Sequence, residues 1–122
     1  MLDLIRQFGL LVLGGVFVWA GTEHFLKFGA VAAQLAERQF PAPKPMLAAG
    51  SALEVAAGLA LAIGIARPYA AAALIIFTAA ASVLALDFWR YSGAERQSIR
   101  NAFTINIAVV GGLILAGVSD LQ

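Results

Sequence analysis

Six side chains in this chain stand out as candidates for chemistry: Glu23, His24, Glu54, Asp87, Arg90 and Asn106. Glu54 leads them. It is the one charge in the stretch Pro45 to Ala66, PMLAAGSALEVAAGLALAIGIA. A carboxylate in the middle of an apolar helix costs about 2.5–3.5 kcal/mol to place in lipid, so something must hide, pair or protonate it. That setting suits two tasks, proton handling or the binding of a polar head group such as a quinone ring. His24 is the natural proton-exchange partner. A plainer role is equally open. Glu54 then acts as an interhelical hydrogen-bond anchor with no turnover. Asn106 fits a structural amide between helices best. Glu23, Lys27, Asp87 and Arg90 fit interfacial ion pairs, each worth little alone.

Four apolar stretches must position these groups. The first is residues 4–26, with sixteen uncharged residues between Arg6 and Glu23. Arg6 and Lys27 can snorkel outward at its two ends. The second is residues 46–66, the third 68–86, and the fourth 101–119 with Asn106 inside it. Each is near the roughly 20 residues that a membrane-spanning helix needs. Strand-type spans would be shorter and alternating, so all four are expected to be helices. Short connections give an up-down four-helix bundle in one domain, residues 1–122. The connection from Phe28 to Met46 is too polar to cross, and its middle suits a short interfacial helix. Three prolines between Pro41 and Pro45 predict a stiff, extended approach to the second span. Ser92 to Arg100 reads as a polar link. A weak Gly-Leu-x-Leu match, Gly58 to Leu61 and Gly112 to Leu115, suggests a repeat of two halves.

Composition agrees. Hydrophobic residues make up 61% and charged residues 12%, against about 45–50% and 25% in soluble chains. Net charge is +1 with scattered basic residues, which argues against nucleic acid. There is no cysteine, so thiol redox chemistry and thiolate metal sites are excluded, and one histidine builds no metal site alone. The apolar start is preceded by Asp3, without a basic cluster, and is expected to be a retained first span.

Lys27, Arg38, Lys44, Arg90, Arg96 and Arg100 fall on one side of the spans; Arg6 and Arg67 fall on the other. The positive-inside rule then puts the larger loops in the cytoplasm and both termini in the periplasm. Glu54 lies about 12 Å below the start of its span and Asn106 about 9 Å below Arg100, both on the basic side. Gly50, Glu54 and Gly58 share one helical face. The expected site is a polar cavity with Glu54 and Asn106 as its floor, rimmed by Glu23, His24, Asp87 and Arg90.

The ordered motifs resemble the DoxX family of small bacterial inner-membrane proteins. They are Gly14-x-x-Phe17-x-x-x-Gly21-x-x-His24-Phe25; Phe40-Pro41-x-Pro43; Leu53-Glu54-x-x-x-Gly58-Leu59-x-Leu61-x-x-Gly64 followed by Arg67; Asp87-Phe88-Trp89; and Gly111-Gly112-Leu113. The resemblance implies a four-helix membrane bundle with Glu54 at the family's acidic position. It also implies association with redox systems, since members are linked to a thiosulfate:quinone oxidoreductase and to an oxidoreductase assembly countering oxidative stress. Without cysteine, any thiol chemistry would belong to a partner.

Three functions are therefore open. The first is a redox-associated subunit that binds a quinone-type or other amphipathic small molecule near Glu54, with a redox-protein partner or as a homo-oligomer. The second is a non-catalytic scaffold or accessory subunit of a respiratory or stress complex. The third, less favoured, is small-solute or proton transport. No catalytic constellation is visible.

Overall fold

The structure, a computed structural model, describes residues 1–119. Its described elements are helical: α1 (Leu2–Leu26), α2 (Phe28–Glu37), α3 (Pro43–Ile63), α4 (Arg67–Ala85), a 3-10 turn at Phe88–Arg90, and α5 (Gly93–Val118). There is no strand among the described residues. Helices α1, α3, α4 (with its 3-10 extension) and α5 are each long and apolar enough to cross a membrane. Large apolar side chains stand exposed on all four, including Phe8, Trp19, Ile63, Ile76, Ile107 and Leu115. In water such surfaces would drive association; against lipid tails they have no such cost, and their buried backbone groups are satisfied within each helix.

The chain forms two compact units, Met1–Ala66 and Arg67–Gln122. Both have the same order: a long helix, a short helical segment, and a second long helix. In the first unit α1 packs on α3, with α2 laid against α3. Alanine 32 is the buried residue of α2, flanked by half-buried Val31 and Leu35, the side its apolar residues mark. In the second unit α4 packs on α5. The buried positions of α4 are Arg67, Ala70, Ala71, Leu74, Thr78 and Ser82, a three-and-four spacing that forms one stripe. Leu113, Ala116 and Gly117 are the buried residues of α5. A Cβ at Gly117 would lie 3.0 Å from the Cβ of Ala71.

Two helix starts differ by three or more residues from the sequence expectation. Helix α3 starts at Pro43, not Met46, so the extended approach ends at Ala42. Pro43 and Pro45 sit in the first turn, where no helical N–H is needed, and a fixed φ favours the turn. Helix α5 starts at Gly93, not Asn101. The segment read as a polar link is two turns of helix. Its Ala94, Glu95, Arg96 and Gln97 are good helix formers, and polarity describes what those turns face, not their backbone conformation.

The turn after α3 uses two left-handed residues. Gly64 caps the helix at φ 91°, with its N–H donating to the Ala60 carbonyl at 3.0 Å. Ala66 follows at φ 49°. A left-handed conformation costs a residue with a Cβ roughly 1–2 kcal/mol. Ala66→Gly is expected to stabilise the protein by about 1 kcal/mol, seen as a higher unfolding temperature in detergent; an unchanged or lower midpoint would contradict it.

Candidate functional site

The site begins with the contact of α1 on α3. The buried residues of α1 include Gly14, Phe17 and Gly21. Those of α3 include Ser51, Glu54 and Gly58. Each helix thus shows a small residue, a large one three positions on, and a small one at seven. Facing rungs run antiparallel. A Cβ at Gly14 would collide with the Gly58 carbonyl oxygen. One at Gly21 would lie 2.7 Å from the Ser51 carbonyl oxygen and 3.1 Å from the Glu54 Cβ. The backbones are in direct contact, which only residues without bulk permit. The seven-residue repeat also moves the buried face. Ser51, not the half-buried Gly50, lies above Glu54 on it, because a contact that follows a 3.5-residue period drifts from the plain i, i+4 line.

Glu54 is carried into this contact by its place on the stripe. Its side chain is 6% exposed. Nδ1 of His24, in the last turn of α1, lies 2.9 Å from Glu54 Oε1. With Nδ1 protonated, the ring donates to the carboxylate. The imidazole is 37% exposed, so the pair joins a buried oxygen to an accessible ring. This geometry can relay a proton between the surroundings and a shielded carboxylate, or present a donor and an acceptor to a bound polar group.

The other candidate residues have their own partners. Lys27, which caps the C-terminus of α1, donates its Nζ to Glu23 Oε1 at 2.9 Å. Glu23 and His24 thus serve different pairs, as adjacent residues about 100° apart on a helix would. In the second unit Asn106 Nδ2 donates to Ser82 Oγ at 3.0 Å, and Ser82 Oγ donates to the Thr78 carbonyl at 2.7 Å. Arg90 Nη1 donates to Asp87 Oδ2 at 3.1 Å; the Asp87 side chain is buried and that of Arg90 exposed. The structure therefore joins Glu54 to His24 and Asp87 to Arg90, and gives Asn106 to Ser82.

Three hydroxyls escaped the sequence reading. Ser51 and Thr78 carry buried side-chain oxygens with no hydrogen-bond partner among the described residues. A buried hydroxyl left so costs about 1–3 kcal/mol. Ser51 precedes Glu54 by three residues, and that spacing was the signal available for it. Ser82 had none, since serine is ordinary packing material in membrane helices. Among the described residues no three His, Asp or Glu groups gather to hold a metal.

Comparison with known proteins adds one finding. A family model, DoxX, matches residues 7–87. That range contains the buried residues of α1 and α3 and both members of the His24–Glu54 pair. No curated protein and no solved structure matches.

Proposed function

Because this chain belongs to the DoxX family and is a multi-pass membrane protein, we propose that it is a redox-associated membrane subunit that binds a quinone-type or other amphipathic small molecule beside Glu54. The observation that carries this reading is the His24–Glu54 pair, with one member shielded and the other half-accessible on an apolar helix pair. A quinone offers carbonyl oxygens that accept hydrogen bonds and, on reduction, take up protons. An imidazole backed by a carboxylate can donate the bond and replace the proton. The apolar tail of such a ligand would lie along the exposed faces of the helices, as lipid does. Electrons would come from a partner protein. In this reading the chain sits in the bacterial inner membrane, with its six-residue basic side cytoplasmic and both termini periplasmic.

The test is a thermal shift in detergent with a short-chain ubiquinone or menaquinone analogue. At a hundred times its dissociation constant a ligand stabilises by about 2.7 kcal/mol, and the unfolding midpoint should rise measurably. Glu54→Gln, which keeps size and polarity, should abolish the rise. A wild-type protein indifferent to both analogues would remove this reading. The second reading, a scaffold or accessory subunit, is favoured by the close backbone contact that encloses Glu54. It expects a stable co-purifying subunit and no response to quinone.

A further inference from the structure

We propose that the N-terminal turns of α5, with the adjoining 3-10 turn, form a binding site for the headgroup of an anionic phospholipid. Arg96 and Arg100 supply the charge. Phe88, Trp89 and Phe103 form the aromatic floor. This proposal uses none of the residues of the His24–Glu54 pair and does not depend on the quinone reading.

The first argument is length. Helix α5 has 26 residues, about 39 Å at 1.5 Å per residue. The hydrocarbon core of a bilayer is about 30 Å thick, and the headgroup layers bring the total to about 40–45 Å. The uncharged part of α5 starts at Asn101 and accounts for about 27 Å. Its first eight residues, GAERQSIR, add about 12 Å that cannot lie in hydrocarbon. Those turns therefore lie at headgroup depth, and seven of the eight residues, all but Ile99, are exposed.

The second argument is the fixed geometry of the rings. Phe88 meets Trp89 edge-on with centroids 5.4 Å apart, and meets Phe103 at 5.4 Å. Trp89 and Phe103 close the triangle at 6.3 Å. The cluster ties the 3-10 turn to α5 and marks the hydrocarbon boundary, where aromatic rings prefer to sit. The Arg96 guanidinium lies 5.8 Å from the Phe88 ring centroid. Stacking there orients a planar charge while leaving N–H donors for a second group.

The third argument is charge. Arg96, Arg100 and Phe103 follow at four and three residues, so they share one face of α5. Both arginines are exposed. Glu95 is one position, about 100°, away from Arg96 around the helix. The third arginine, Arg90, is held by Asp87, so it adds little net charge. Two guanidiniums on one face, above an aromatic floor and at phosphate depth, complement a lipid phosphate.

The full chain carrying Trp19→Phe retains one tryptophan, Trp89, as a reporter. It is reconstituted into mixed phosphatidylglycerol and phosphatidylcholine vesicles, with one lipid at a time brominated to quench nearby tryptophan. Brominated phosphatidylglycerol should quench Trp89 with at least about fivefold preference, the ratio expected for one arginine at an anionic surface. The preference should shrink at high salt. It should vanish in R96Q/R100Q and persist in R96K/R100K, a variant that keeps the charge if the glutamine protein inserts poorly. Equal quenching by the two lipids overturns the proposal, as does a preference that R96Q/R100Q leaves unchanged. A preference erased by inorganic phosphate at constant ionic strength would assign the site to a free anion and overturn it too.

Discussion

His24→Ala should destabilise the protein by about 1–3 kcal/mol, the range expected when a buried polar group loses its hydrogen-bond partner. The reason is the asymmetry of the pair. Glu54 Oε1 sits 2.9 Å from His24 Nδ1 inside the α1–α3 contact, and its side chain is nearly inaccessible. Removing the ring leaves the carboxylate without that donor in surroundings that cannot replace it. The reverse deletion is milder. Glu54→Leu leaves a half-exposed imidazole, which water or lipid headgroups can serve. The double variant, His24→Ala with Glu54→Leu, should regain most of what His24→Ala loses, because no buried polar group is then left without a partner. Thermal unfolding in detergent, followed by circular dichroism, gives all three values. If the two single effects simply add in the double variant, the residues are not coupled and the account of the pair is wrong.

Gly58→Leu should separate α1 from α3 and cost 3 kcal/mol or more, beyond the roughly 1–3 kcal/mol usual for overpacking. Even a methyl group at Gly58 would lie 2.7 Å from the Gly14 carbonyl oxygen and 3.0 Å from the Phe17 Cβ. The obstacle is backbone, which cannot rotate aside as a flexible side chain can. Gly14→Ala meets the Gly58 carbonyl oxygen in the same way. The contrast with open glycines makes the test sharp. A Cβ at Gly15 or Gly111 meets nothing within 4 Å, so alanine there should gain its helix propensity, up to about 1 kcal/mol. The same substitution thus has opposite signs one residue apart, at Gly14 and Gly15. Unfolding midpoints of Gly14→Ala and Gly15→Ala that shift together would refute the close contact. Because the contact sets the register that brings His24 to Glu54, Gly58→Leu should also abolish any quinone response.

Much of the site was legible one element at a time. The isolated carboxylate in an apolar stretch marked Glu54 without any structure. Glu23 and His24 are adjacent on α1 and so about 100° apart, and the structure gives them different partners, Lys27 and Glu54. The expectation that small residues frame Glu54 holds in kind, but Ser51 takes the position above it in place of Gly50. The polar run before Asn101 misled, because hydropathy reports where the lipid ends and not where the helix ends. Ser92 to Arg100 is too polar for hydrocarbon and still helical from Gly93 onward. The proline run misled for a related reason. Proline breaks a helix interior yet is welcome in its first turn.

By itself, then, the sequence determined that four apolar segments must be helices, since a backbone in lipid has to satisfy its own hydrogen bonds, and that Glu54 must be hidden or paired. What the tertiary structure decided was the partner. His24 and Glu54 lie thirty residues apart, and their meeting depends on how α1 and α3 are rotated and slid against each other. Gly14 on Gly58 and Gly21 on Ser51 fix that register. A periodic pattern shows which face a helix buries, but a register belongs to two helices at once and exists only when both are in place.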